Sequence, residues 1–266
     1  DKMGFEPDTI KLWKEAYTSG NGIVLVTGPT GSGKSTTLYA TLTRVNTVEE
    51  HIITIEDPVE RQLDGIIQGH VNERAGMTFA AALRSMLRQD PDVIMVGEMR
   101  DRETADLAIR AALTGHLVFS TLHTNSAAAS YTRLVDMGCD PFLLTTTIRA
   151  ILAQRLIRKL CYKCKVKYKP TEKDLKSLGV DKIDGFIYHS NSKGCKTCGK
   201  DGYKGRAGIY ELLIPNEAIN EAVKNEASAE EVGRIAAENK MKTLQQAALN
   251  YVLRGDTSVE EINRVL

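Results

Sequence analysis

Four short apolar runs mark the first half of the chain, at residues 23–27, 52–56, 93–97 and 117–121. Each is nearly continuous rather than alternating. That is the pattern of strands covered on both faces of a parallel sheet. Segments with helical spacing lie between them, at about 34–45, 78–89 and 101–115, and a fourth follows the last run at about 125–138. Asp140-Pro141 then supplies an N-cap and an N1 proline, predicting a long helix toward Arg158. Strand and helix patterns that alternate in this way predict an α/β domain.

The composition shifts near residue 155. From Arg155 to Lys169 there are seven Lys/Arg and no acid, followed by two C-x-x-C pairs and a glycine-rich stretch at 194–208. After Tyr210 the pattern is helical again, with capping signals at Ser228…Glu231 and Ser258…Glu261 and a stop at Gly255. The expected division is therefore three consecutive segments: 1–158 for the α/β domain, 159–208 for a cysteine-clamped insertion, and 209–266 for a small helical tail. A short helix at about 171–178 is expected inside the insertion.

The junction between the first strand and its helix carries the clearest chemistry. Gly28-Pro29-Thr30-Gly31-Ser32-Gly33-Lys34-Ser35 matches G-x-x-x-x-G-K-[ST]. The glycines let the backbone aim several N–H groups at one phosphate, and the helix N-terminus adds its positive end. Lys34 reaches the outer phosphates, the Ser35 hydroxyl can ligate Mg²⁺, and Thr36 completes the cradle. The sequence thus predicts a nucleoside triphosphate as ligand.

Hydrolysis also needs a carboxylate that acts on water and a group that senses the γ-phosphate. Glu98 closes the third apolar run, although Gly97 stands where an acid is usual. Glu56, Asp57 and Glu60 cluster around Pro58, and an acidic turn is the plain alternative for them. His116 and His123 bracket the fourth run, where a lone histidine is more often structural.

Lys+Arg 35 against Asp+Glu 34 leaves a net charge of +1, which does not imply wholesale polyanion binding. No apolar run approaches the roughly 18–20 residues of a membrane span, and the start is no signal peptide. The chain reads as soluble and cytosolic. Opening on Asp1 without an initiator methionine, it is expected to be part of something longer. Cys161, Cys164, Cys195 and Cys198 form two pairs at the spacing of a closed tetrahedral zinc site. Cys139 has no partner in sequence and reads as a buried small residue.

Four boxes occur in order: the phosphate loop, Glu56-Asp57-Pro58-Val59-Glu60, the segment from Arg88 to Asp101 ending Val96-Gly97-Glu98-Met99-Arg100-Asp101, and Thr114-Gly115-His116 through Thr124-Asn125. As a set they resemble the secretion ATPases of the type II secretion and type IV pilus family, from Gly4 to the end of the chain. The resemblance implies a RecA-like P-loop ATPase core and explains Gly97, because that family carries a Gly-Glu ending. It implies that Lys34 and Ser35 bind ATP and Mg²⁺, and that Glu98 acts through the metal and its waters. Glu56 would orient the water, supported by Asp57 and Glu60, while His123 senses the γ-phosphate. Arg84, Arg88 and Arg100 resemble arginines near subunit boundaries, with an exposed helix face as the equal alternative for the first two.

The four-cysteine insertion resembles that of assembly rather than retraction motors. Further implications are a homo-oligomer, a hexamer in the family, and partners in the inner-membrane platform, so that a cytoplasmic protein is held at the inner membrane through other proteins. A preceding domain closes over the nucleotide in family members. This chain alone is therefore expected to bind nucleotide and turn it over poorly. The competing expectation is a nucleic-acid motor, drawn from the basic run 155–169 with Tyr162 and Tyr168 available to stack on bases.

Overall fold

The computed structural model describes residues 3–266. Its strands are β1 (Gly22–Thr27), β2 (Ile52–Glu56), β3 (Ile67–His70), β4 (Val93–Val96) and β5 (Leu117–Leu122). They are followed by β6 (Ile148–Leu160), β7 (Val166–Tyr168), β8 (Ile187–His189) and β9 (Tyr203–Leu213). The helices are α1 (Pro7–Tyr17), α2 (Lys34–Val45), α3 (Phe79–Met86), α4 (Arg102–Leu113), α5 (Ala129–Asp136) and α6 (Pro141–Thr147). After them come α7 (Glu172–Leu178), α8 (Glu217–Lys224), α9 (Ala229–Glu238), α10 (Leu244–Leu253) and α11 (Val259–Val265).

The chain forms two compact units, one of residues 6–153 and 212–241 and the other of residues 154–211 and 242–266 with the stretch up to Phe5. It changes unit within β6 and again within β9. The tail helices are thus shared between the units, which differs from the three consecutive segments expected.

In the first unit the strand order is β3-β2-β4-β5-β1-β6. Every neighbouring pair in it is parallel. All residues of β1, β2, β4 and β5 are buried, as their unbroken apolar runs required. Because the strands are parallel, their carboxyl ends lie along one edge, and that edge carries the site. The core includes Val24, Leu25, Ile94, Val118, Phe119 and Leu83, each essentially without solvent contact. Trp13 on α1 is fully buried and donates its indole N–H to Thr41 Oγ1 on α2 (3.1 Å).

The long helix expected from Asp140 to Arg158 does not form. Asp140 caps α6 as anticipated, accepting from the Phe142 N–H (2.8 Å), but the helix stops at Thr147. Thr145, Thr146 and Thr147 turn their hydroxyls back onto the carbonyls of Phe142 and Leu143, which offers the backbone an exit from the helix. The next thirteen residues become β6, whose opening stretch from Ile148 to Ala153 pairs in parallel with β1. The basic run therefore begins on a strand, not on a helix. α5 is also shorter than expected, starting at Ala129 behind a turn in which Ser126 Oγ accepts the Ala129 N–H (3.2 Å).

In the second unit β9 neighbours β6, and β7 and β8 form an antiparallel pair. α7 appears where the insertion was expected to hold a helix, with Thr171 and Asp174 completing a capping box. Buried Glu261 on α11 accepts the backbone N–H of Arg158 (2.8 Å) and both guanidinium groups of Arg158 and Arg264. Burial opposes its charge, but the arginines win and hold the carboxyl down at about 2.

Candidate nucleotide-binding site and cysteine cluster

β1 delivers the chain into the phosphate loop and α2 receives it. Gly31 and Gly33 take φ of 78° and 89°, left-handed values that allow the loop to close and α2 to begin at Lys34. Thr27 secures the base of the loop: its Oγ1 donates to Leu122 O (3.0 Å) and accepts the Thr124 N–H (3.0 Å). Lys34 Nζ donates to the carbonyls of Gly28 (2.8 Å) and Pro29 (3.2 Å), so the ammonium lies over its own loop. Ser35 Oγ donates to Glu60 Oε1 (2.9 Å). Pro29, Thr30, Gly31 and Thr36 are exposed around this centre, while Gly28 and Ser32 are buried.

The acidic box does not act as one cluster. Glu56, at the end of β2, is only 5 % exposed and accepts hydrogen bonds from Tyr39 Oη, Thr54 Oγ1 (2.6 Å) and Gln68 Nε2 (3.0 Å). Its oxygens are committed to the protein. Glu60 is exposed and is the carboxylate that meets the phosphate-loop serine. Asp57 instead accepts from Arg100 (3.3 Å). Tyr39, Thr54 and Gln68 carried no motif, so the sequence did not single them out. Tyr39 was nonetheless traceable as the residue one helical turn beyond Ser35.

Glu98 follows β4 at the same edge. Gly97 donates its N–H to Ile55 O (2.8 Å) and accepts from Thr121 Oγ1 (2.7 Å). A Cβ there would lie 3.3 Å from Ile55 O and 3.4 Å from Glu56 Cα, so close approach of β2 explains the glycine. Glu98 pairs with Arg100, which bridges it to Asp57, and lies 3.5 Å from His123 Nε2. β2, β4 and β5 thus bring Asp57, Glu98, Arg100 and His123 into one polar network. His116 sits at the opposite end of β5, its Nδ1 2.9 Å from Ala111 O, in a structural setting. Arg84 pairs with Glu103 and Arg88 contacts Ser85 (3.4 Å), both on the exposed surface.

In the second unit the four cysteine sulfurs all lie within 4.8 Å of one another. The Cys161–Cys195, Cys164–Cys198 and Cys195–Cys198 separations are 3.7, 3.8 and 3.8 Å. Four sulfurs held tetrahedrally about 2.3 Å from a zinc ion stand about 3.8 Å apart, so the set fits that metal. The backbone N–H of Cys195, with that of Gly202, pulls the Cys198 thiol down to about 6, toward the thiolate a metal requires. Desolvation and the neighbouring sulfurs push Cys164 up to about 12. Cys139, in the first unit, is buried as expected, and burial raises its thiol to about 11. Tyr168, one of the two tyrosines considered for base stacking, packs edge-on against His189 with ring centroids 5.2 Å apart.

A parallel sheet, a glycine-rich loop opening a helix with Lys-Ser, and carboxylates gathered at the carboxyl edge define a P-loop nucleotide-binding protein with an α/β, RecA-like core. The model of the type II/IV secretion system protein family matches residues 1–264, and the chain belongs to that family. It is 49% identical over 263 residues to type II secretion system protein E of Pseudomonas aeruginosa, covering 99% of this chain and 52% of that protein. It is 48% identical over 264 residues to the type IV pilus assembly ATPase PilB of Thermus thermophilus, covering 98% of this chain and 30% of that protein. The chain thus spans about half the length, or less, of these relatives. Among solved structures it resembles the pilus retraction motor PilT with bound ADP (TM-score 0.71, 34% identity, covering 98% of this chain and 64% of that one). It also resembles the Legionella pneumophila ATPase DotB (TM-score 0.67, 27% identity, covering 96% and 62%). These relatives lend no support to the nucleic-acid expectation. Among the described residues, no helix is long and apolar enough to cross a membrane.

Proposed function

We propose that this chain is the ATP-hydrolysing unit of a motor that assembles a type II secretion pseudopilus or a type IV pilus. The observation that carries the reading is Ser35 of the phosphate loop facing Glu60, with the Glu98–Arg100–His123 network along the same sheet edge. Lys34 and the backbone N–H groups of the loop from Gly28 to Thr36, Pro29 excepted, hold the phosphates. Mg²⁺ held at Ser35 would neutralise charge on the β- and γ-phosphate oxygens.

Glu60 orients the attacking water in this proposal, since it is exposed beside Ser35. Glu56 serves as its buried anchor. Glu98 completes the acidic wall, Arg100 holds Glu98 and Asp57 in register, and His123 responds to the γ-phosphate. Cys161, Cys164, Cys195 and Cys198 hold a structural zinc ion. The motor acts as a homo-oligomer, a hexamer as in the family resemblance, on the cytoplasmic side of the inner membrane through platform partners.

The test is turnover per chain against protein concentration, with and without DNA. Turnover that climbs steeply with concentration and ignores DNA supports a motor with shared sites. Turnover that is flat with concentration and stimulated by DNA would remove the secretion reading.

A further inference from the structure

We propose that the Tyr39 hydroxyl positions Glu60 against Ser35, which makes Tyr39 a positioning residue for the site read above as ATP-hydrolysing. Ser35 and Tyr39 stand four residues apart on α2 and so share one face. A phenol has one proton to donate and lone pairs to accept with. Tyr39 spends the proton on Glu56 Oε2 and accepts the backbone N–H of Glu60 (3.1 Å). Glu60 then returns to α2, accepting from Ser35 Oγ (2.9 Å). The result is a closed circuit: helix, tyrosine, loop, carboxylate, serine and the same helix again.

Glu56 is fixed from behind by Thr54 (2.6 Å) and Gln68 (3.0 Å). Gln68 also bonds the same loop, accepting the Leu63 N–H (2.7 Å) and donating to Arg61 O (3.1 Å). The exposed segment bearing Glu60 is therefore pinned at its ends by two side chains that converge on one buried carboxylate. Tyr39 is only 4 % exposed, and burial together with the Glu56 bond raises its hydroxyl to about 12. It stays protonated and keeps donating at any physiological pH.

A tyrosine serving only to fill the core needs its ring and not this circuit, and Tyr39→Phe separates the two roles. Phenylalanine keeps the ring and its packing under Arg61, whose guanidinium carbon lies 5.9 Å from the ring centroid. It deletes both hydroxyl bonds at once. Lys34 and the loop amides are untouched, so nucleotide affinity in the absence of Mg²⁺ is expected to stay within about twofold of the parent. Losing a positioning contact of this kind costs on the order of tenfold to a hundredfold in rate.

The experiment is a double-mutant cycle on the full chain with Tyr39→Phe, Glu60→Gln and the pair. Three readouts are taken: affinity for a fluorescent ATP analogue as Mg²⁺ is titrated, turnover, and melting temperature. Each single variant should raise the half-saturating Mg²⁺ concentration about tenfold, and the pair should be no worse than Glu60→Gln alone. Effects that multiply in the pair would overturn the proposal. So would a Tyr39→Phe variant that melts earlier yet titrates with Mg²⁺ like the parent. If the parent binds nucleotide but never turns it over, the hydrolytic reading fails, and the Mg²⁺ titration still decides the role of Tyr39.

Discussion

Replacing Glu261 by Gln isolates the charge that binds α11 to β6. The side chain is 1 % exposed and receives Arg158 and Arg264, each through two guanidinium nitrogens, as well as the Arg158 backbone N–H. Its pKa is about 2 in the folded chain against the ordinary 4.5. A depressed carboxylate pKa contributes stability that is complete above the unfolded value and fades as pH falls through the folded one. At about 1.4 kcal/mol per pKa unit, the charge contributes about 3 kcal/mol at neutral pH, lost between about pH 4.5 and 2. Glutamine has nearly the shape of the protonated acid, so Glu261→Gln should reproduce that loss at pH 7. Urea unfolding followed by circular dichroism from pH 7 to pH 2 measures it. The difference between parent and variant cancels every other titration, the cysteines included. A difference below about 0.5 kcal/mol at pH 7, or one that stays full-sized at pH 2, would refute the reasoning.

Other perturbations report on separate parts of the molecule. Gly97→Ala forces a Cβ to 3.3 Å from Ile55 O and should destabilise the first unit by about 1–3 kcal/mol in a thermal melt, with turnover falling as Glu98 is displaced. Cys161→Ser should reduce the zinc released by a thiol-reactive reagent from one ion per chain to none and loosen the second unit; freshly prepared parent protein that releases no zinc would sink the metal assignment. His116→Ala should lose about 1 kcal/mol of stability and keep its turnover, because its ring nitrogen serves Ala111 O. His123→Ala should do the reverse, losing turnover while melting with the parent. Equal behaviour of the two variants in both assays would show that the histidines do not divide in this way.

Much of the fold was legible because the signals were local. The four buried strands announced themselves as unbroken apolar runs, and α7 falls where a short helix was expected within the insertion, at about 171–178. The phosphate loop was legible for the same reason: Gly28 to Ser35 are contiguous, and their backbone conformation follows from their own glycines. β6 was not legible. Its residues suit a helix or a buried strand equally, and hydrogen bonding to distant neighbours, β1 more than a hundred residues before it and β9 after it, selected the strand.

The cysteine quartet lay between these cases. Each C-x-x-C pair was evident from spacing, while the approach of one pair to the other across 34 residues was a tertiary event. The acidic box shows the limit most clearly. Residue spacing alone placed Glu56, Asp57 and Glu60 together without ranking them, and only the family resemblance put Glu56 first as the residue that orients the water. The fold ranked them by burial and by partner: Glu56 closed in by Tyr39, Thr54 and Gln68, Asp57 given to Arg100, and Glu60 left open beside Ser35. Chemistry that depends on contiguous residues is written along the chain. Chemistry that depends on which side chain loses its water is decided only when distant strands close over it.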